Sequence, residues 1–209
     1  MQNRRGFTIV EIVIVMIIMA ILLGLGFAVT VNTQANARDT ERSTDIKNIA
    51  QGLENRYKKG NPRATAASAY AYTAGSYPGT IEMQHMLGAN VTSYGIATTT
   101  GGYISDAIPG TDTAMFSPPG VTGDYAGFMI LCPAGGCVAE NMTTIKSAAT
   151  VTTAKYLYEP IDADNKICTG AANNPCVRFN LYWRSETEKD TSIDGTIVDT
   201  LHVVRSNHQ

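Results

Sequence analysis

The strongest constraint on the fold is an uncharged apolar run over residues 12–29. The run has 18 residues and no proline, and it directly follows Glu11, the one acidic residue of this segment. That length makes it a candidate transmembrane helix. Arg4 and Arg5 precede it, and positive charge is typically retained on the cytoplasmic side of a membrane. We therefore expect a membrane helix, with the chain that follows it facing outward.

Three simpler interpretations of this segment stay open. A cleaved secretory signal would use a small-residue site such as Ala35-Asn36-Ala37, although the apolar part of such a signal is normally about 7–15 residues. A plain signal anchor would face lipid, which leaves Glu11 unexplained because a carboxylate inside a membrane segment costs roughly 2.5–3.5 kcal/mol. Alternatively, Glu11 lies at the membrane boundary and is simply solvated.

Residues 4–11 form a motif. The order Arg4-Arg5-Gly6-Phe7-Thr8-Ile9-Val10-Glu11, followed at once by an apolar helix, resembles the class III leader of type IV pilins and pseudopilins. The resemblance is strong up to about Asn61. It implies cleavage between Gly6 and Phe7 by a prepilin peptidase, N-methylation of Phe7, and retention of the helix in the mature chain.

Glu11 is the residue that we expect to direct assembly. The resemblance makes it the fifth residue of the mature chain, where the family has a glutamate. Cleavage after Gly6 leaves an ammonium group on Phe7, which is costly among apolar helices if it has no partner. A carboxylate on a neighbouring subunit would neutralise it, with an attraction that grows as the local dielectric constant falls. Such a pair would also fix the axial register between subunits.

Helical periodicity continues beyond the apolar run. Residues at helical spacing form one apolar face, namely Ile46, Ile49, Ala50, Leu53 and Tyr57. Charged residues between Arg38 and Lys59 mostly occupy the remaining faces, and Gly60-Asn61-Pro62 provides standard helix stop signals. A continuous helix over residues 7–59 would be roughly 80 Å long at 1.5 Å per residue.

The remainder of the chain is rich in turn residues and predicts a separate head. A short helix is predicted over residues 81–87, and strands are predicted over residues 125–131, 156–159, 177–184 and 196–204. A long helix packed on an antiparallel sheet is an α+β arrangement, and with this leader it is pilin-like. We expect a leader over 1–6, a long helix over 7–59 and an extracellular head over 60–209.

Four cysteines lie in the C-terminal half: Cys132, Cys137, Cys168 and Cys176. Their even number and a membrane segment upstream favour disulfide bonds in an oxidising exterior. We favour the local pairs Cys132–Cys137 and Cys168–Cys176, although four cysteines allow three connectivities. The alternative is a zinc site, but the C-x4-C and C-x7-C spacings are longer than structural zinc sites prefer.

No recognisable catalytic motif is present. The histidines, His85, His202 and His208, lie outside any metal or nucleophile signature, so we predict no catalytic residue, metal or cofactor. The net charge is −2, so there is no basic excess to indicate binding of DNA.

Two weaker signals lie in the head. Asp162, Asp164 and Asn165 cluster the oxygen ligands that calcium prefers. The spacing of an EF-hand is missing, so a solvated turn before Cys168 is the simpler interpretation. The sequons that begin at Asn90 and Asn141 are compatible with glycosylation but do not predict it.

The sequence therefore predicts a structural subunit, a major or minor pilin, of an extracellular filament used for adhesion, twitching motility or DNA uptake. The resemblance implies self-assembly, with a prepilin peptidase, an assembly ATPase and an inner-membrane platform protein as partners. The precursor would be a single-pass membrane protein and the product a cell-surface filament. Two alternatives stay open: a pseudopilin of a type II secretion or competence system, and a membrane-anchored ligand-binding ectodomain that does not assemble.

Overall fold

The computed structural model describes residues 6–60, 74–87, 107–122, 127–131, 153–170, 174–188, 191–193, 196–198 and 201–208. Within these ranges, the backbone alone is described for residues 25–31, 84, 85, 87, 191–193 and 196–198.

Helix α1 spans Ile9–Lys59, which is 51 residues. It begins with a capping box, in which the Thr8 hydroxyl accepts a hydrogen bond from the Glu11 N–H and the Glu11 carboxylate accepts one from the Thr8 N–H. It ends at Gly60, whose φ of 75° lies in the region that favours glycine, and the Gly60 N–H donates to the Arg56 carbonyl at 2.7 Å. The helix predicted over residues 7–59 is confirmed, with its start two residues later than expected.

The described part of the head contains a second helix, a 3₁₀ turn and six strands. Helix α2 spans Thr80–Leu87, beginning one residue earlier than the predicted helix over residues 81–87, and the 3₁₀ turn spans Ala114–Phe116. The strands in chain order are β1 (Phe128–Ile130), β2 (Tyr156–Ile161), β3 (Arg178–Arg184), β4 (Thr191–Ile193), β5 (Thr196–Val198) and β6 (Leu201–Arg205). Strands β1, β2, β3 and β6 form one sheet in the order β1-β2-β3-β6, while β4 and β5 pair separately.

The prediction of a purely antiparallel sheet is wrong at one edge. Strand β1 runs parallel to β2, with Phe128 opposite Tyr156 and Ile130 opposite Tyr158. Strands β2 and β3, and β3 and β6, pair antiparallel as expected. A parallel neighbour requires a connection of about a dozen residues or more, and residues 131–155 supply one between β1 and β2.

The prediction of one strand over residues 196–204 is also wrong. The segment contributes two strands with different partners. Strand β5 pairs with β4, with Ile193 opposite Thr196, whereas β6 pairs with β3 at the edge of the larger sheet. The difference in partners divides this segment between two sheets.

The sheet has a buried apolar layer on each face, as alternation along strands allows. One layer joins the predicted apolar face of α1, of which Ile46, Ile49, Ala50 and Leu53 are buried and Tyr57 is partly buried. Its strand residues are Phe128, Ile130, Tyr156, Tyr158, Phe179, Leu181 and Trp183. The other layer contains Met129, Leu131, Leu157, Ile167, Tyr182 and Leu201. The second half of α1 is therefore part of the core of the head.

Candidate functional site

The first part of α1 exposes large apolar side chains on every face. Ile9 is 84% exposed and Leu23 64%, and Phe7, just before the helix, is 83% exposed. A helix that is apolar all round is normally buried, and an exposed apolar surface of this extent marks an interaction site. Within the part of the chain that the structure describes, no helix has both the length and the apolar character needed for a bilayer crossing.

The predicted processing and assembly residues lie together at the exposed tip of this helix. Gly6 and Phe7 are exposed and precede the helix, so the predicted scissile bond is accessible. Glu11 Oε2 accepts hydrogen bonds from the Thr8 N–H and the Thr8 hydroxyl, each at 3.0 Å. The Thr8 hydroxyl in turn accepts from the Glu11 N–H at 3.3 Å. The carboxylate is therefore held one helical turn from Phe7, in an orientation that Thr8 fixes.

Asp39 is the first residue along α1 that is buried, among the residues that the structure describes. The Asp39 carboxylate accepts from the Ser185 and Thr187 hydroxyls, each at 2.7 Å, and from the N–H groups of Glu186 and Thr187 at 2.9 Å. Burial alone would raise the pKa of Asp39, but these hydrogen bonds hold it well below its ordinary value. Asp39 therefore stays ionised and fixes the loop after β3 to α1.

Arg42 extends this junction one turn further along the helix. It is 2% exposed and donates to the Thr153 carbonyl and to Asp39, at 2.9 and 2.7 Å. Glu186 bridges Arg42 and Arg38, with an oxygen 2.7 Å from the Arg38 guanidinium. The junction thus combines two cations and two anions, so its charges balance.

A second buried ion pair joins α1 to α2. Arg56 is fully buried and pairs with Glu82, which is 2% exposed. Arg56 Nη1 also donates to the Ala107 carbonyl at 2.9 Å. We expected the charged residues of α1 mostly on its other faces. However, the spacing of 3 and 4 residues along the apolar stripe continues through Asp39, Arg42 and Arg56. This spacing is the signal that sequence reasoning missed.

The disulfide Cys168–Cys176 is formed, as predicted, with a Cα–Cα distance of 5.5 Å. Both sulfur atoms are therefore unavailable as zinc thiolates. The Thr80 N–H donates to the Cys168 carbonyl at 3.0 Å, and the Tyr77 N–H donates to the Cys176 carbonyl at 2.8 Å. The cross-linked loop thus packs against the chain that enters α2.

A glycine permits the close approach of these two segments. A Cβ added at Gly79 would lie 2.1 Å from the backbone of Thr169 and Gly170, a distance that no side chain tolerates. The other predicted pair, Cys132–Cys137, lies outside the described residues, as do the sequon asparagines Asn90 and Asn141.

The predicted oxygen cluster forms a turn. Asp162 Oδ1 accepts from the N–H groups of Asp164 and Lys166 at 2.9 and 2.8 Å. Asn165 has a φ of 62°, and its side-chain oxygen accepts from Arg178 at 2.9 Å. Across the described residues, no group of three or more histidine, cysteine, aspartate or glutamate side chains is placed to hold a metal ion.

The histidines are dispersed. His85 lies in α2, His202 pairs with Glu188 at 3.0 Å, and His208 lies against α1 with Nε2 3.5 Å from Glu54 Oε2. The structure therefore does not bring them together.

Comparison with known proteins bears on the first part of the chain. Residues 1–27 match the model of a family described as the prokaryotic N-terminal methylation motif. The matched range includes Gly6, Phe7 and Glu11, together with most of the apolar run. No curated protein and no solved structure matches the chain.

Proposed function

We propose that this chain is a pilin, because residues 1–27 match the prokaryotic N-terminal methylation motif, which includes the class III leader of type IV pilins and pseudopilins. It is a structural subunit, major or minor, of a type IV pilus-like extracellular filament. The observation that carries the proposal is the exposure of the apolar side chains of residues 7–23, in contrast to the second half of α1, which is buried in the core of the head. Such a helix requires a partner outside its own chain, and copies of the same helix supply one.

In this proposal the chain has three parts with different fates. The leader, residues 1–6, is removed by a prepilin peptidase between Gly6 and Phe7, and Phe7 is methylated. The helix, residues 7–59, holds the precursor in the membrane and later packs in the filament. The head, residues 60–209, faces the exterior. The uncharged run over residues 12–29 and the positive leader support this orientation.

Glu11 directs the assembly step. Its carboxylate lies at the exposed tip of α1 and has one oxygen engaged by Thr8. Among packed apolar helices, the ammonium of Phe7 on an adjacent subunit is the group of opposite charge that can neutralise it. An assembly ATPase and an inner-membrane platform protein act as partners. The filament serves adhesion, twitching motility or DNA uptake.

The same leader favours a second candidate, a pseudopilin of a type II secretion or competence system. Both candidates require cleavage at Gly6 and assembly through α1, and they differ in where the assembled subunits reside. A third arrangement, a membrane-anchored ligand-binding ectodomain, requires neither step.

The first test is intact-mass and N-terminal peptide analysis of protein sheared from the surface of producing cells. We expect a chain that begins at methylated Phe7 in the filament fraction. Glu11→Ala should abolish surface filaments, whereas Glu41→Ala, an exposed glutamate on the same helix, should preserve them. A processed chain confined to the cell envelope would favour the pseudopilin. A chain that begins at Met1 and stays in membranes would refute the pilin proposal.

A further inference from the structure

The segment that follows β6 lies along α1. The Ser206 N–H donates to the Phe179 carbonyl at 3.0 Å, and the Ser206 hydroxyl donates to the His208 carbonyl at 3.1 Å. The Asn207 N–H donates to Glu54 Oε1 at 2.8 Å. These bonds join residues 206–208 to β3 on one side and to α1 on the other, and they place the His208 ring beside Glu54.

The two oxygen atoms of Glu54 have different environments. Oε1 accepts from the Tyr77 hydroxyl at 2.9 Å as well as from Asn207. Oε2 is buried and has no hydrogen-bond partner within the described residues, and the same holds for His208 Nε2. The two atoms are 3.5 Å apart. A buried polar atom without a hydrogen-bond partner is destabilising, so each of these two atoms is the natural partner of the other.

Packing keeps the His208 ring directed at this carboxylate. The ring stacks on Tyr57, with centroids 4.1 Å apart and planes 20° from parallel. Burial, together with the hydrogen bond to Glu54, raises the pKa of Tyr77 far above its ordinary value, so Tyr77 remains a donor to Oε1. Lys58 on α1 and Arg205 on β6 are exposed. Glu54 is the ion-pair partner of His208 in the part of the chain that the structure describes.

We propose that residues 206–208 form a proton-dependent clasp between β6 and α1. His208 Nε2 carries a proton and donates it in a hydrogen bond to Glu54 Oε2. Without that proton, Nε2 would be an acceptor facing Oε2, which is also an acceptor. Protonation of Nδ1 as well converts this bond into an ion pair of opposite charges. The clasp is therefore tighter when the imidazole carries two protons than when it carries one. The device operates within a single subunit and does not depend on filament assembly.

The test uses the full chain in detergent micelles, with two nuclear magnetic resonance measurements. The ¹⁵N chemical shift of His208 Nε2 reports whether that nitrogen bears a proton. Amide hydrogen exchange of Asn207 and of β6, corrected for the intrinsic rate, reports how tightly the segment is held. We expect a protonated Nε2 at both about pH 8 and about pH 5.5, and roughly three- to tenfold greater protection at the lower pH.

Variants separate the clasp from general effects of pH. Glu54→Gln and His208→Phe should each remove the difference in protection between the two pH values, the second while preserving the stack on Tyr57. His202→Asn is the matched control, because His202 also lies 3.0 Å from a glutamate, Glu188, but in an exposed pair. It should leave the difference unchanged. An unprotonated Nε2 at neutral pH, or the same pH dependence in both clasp variants as in the parent, would overturn the proposal.

Discussion

The two halves of α1 belong to one continuous helix but have opposite relations to the rest of the chain. In the first half, Ile14 is 51% exposed and its apolar neighbours are similarly uncovered. In the second half, Ile49 is fully buried against the sheet. The second half has its partners within the same chain, including buried charges matched by residues of the head. In the first half, the large apolar side chains up to Leu23 are exposed, so this apolar surface is available to other molecules.

We expect the largest loss of stability from breaking the buried ion pair that the second half of α1 makes with α2. Glu82→Ala leaves the fully buried Arg56 without its carboxylate and should lower the free energy of unfolding by about 3–5 kcal/mol. The measurement is denaturant unfolding of the full chain in detergent micelles. The double variant Arg56→Met, Glu82→Leu should lose less than Glu82→Ala alone, because it leaves no unpaired buried charge. An equal or greater loss in the double variant would contradict this account.

A matched pair of apolar truncations tests the comparison most directly. Ile49→Ala should lower the free energy of unfolding by about 2–5 kcal/mol, because it opens a cavity in the core. Ile14→Ala should change it by no more than about 0.5 kcal/mol, because the side chain contacts nothing that folding buries. Chemical denaturation of both variants under the same conditions provides the measurement. Similar losses at the two positions would show that the halves are not distinct.

The disulfide provides an intermediate effect confined to the head. Replacing Cys168 and Cys176 by serine should lower the free energy of unfolding by about 2–3 kcal/mol, because the bond closes a short loop. Thermal unfolding, followed by circular dichroism with and without reductant, measures the effect. Reductant should lower the unfolding temperature of the parent chain, and it should lower that of the double serine variant by less. An unchanged response to reductant in the variant would mean that this bond does not contribute.

The smallest effect concerns Asp45, on the buried side of the second half of α1. Burial, opposed by a hydrogen bond from Tyr156 and assisted by the nearby charges of Glu41 and Asp112, raises the pKa of Asp45 to about 6. The folded state therefore binds more protons than the unfolded state between about pH 4 and pH 6. Stability attributable to Asp45 should increase as the pH falls from 7 to 5.

Asp45→Asn removes this titration. It should raise the free energy of unfolding at neutral pH by roughly 1 kcal/mol, after allowance for solvent screening of a half-buried group. The gain over the parent should shrink towards pH 5. Urea unfolding midpoints at the two pH values measure it, and a gain that does not change with pH would contradict the assignment.

The features that the sequence predicted correctly depend on local signals. The second half of α1 follows from the spacing of Ile46, Ile49 and Leu53, and its end follows from Gly60. The N-terminal methylation motif follows from contiguous residues, and the pair Cys168–Cys176 follows from short spacing. Each of these signals lies within a few residues of the feature it specifies.

The features that were missed depend on residues far apart in the chain. Asp39 is buried because Glu186 and Thr187, 147 and 148 residues later, provide its donors. Charged residues on an amphipathic helix are ordinarily assigned to the solvent-facing side, so the spacing of Asp39 alone did not identify this residue as buried. The direction of β1 likewise depends on how two strands separated by a long connection, residues 131–155, come to pair, which local propensity does not specify.

The position of the disulfide also has a consequence for the order in which the head is built. Cys168 and Cys176 both lie in the connection between β2 and β3, which are adjacent and antiparallel in the sheet. The cysteines therefore meet as soon as this one hairpin has formed, without waiting for α1 or for the edge strands. Oxidation at that stage would pre-organise the two central strands, onto which β1 and β6 then add from opposite sides. Both ends of the covalent cross-link thus lie within one hairpin of the sheet.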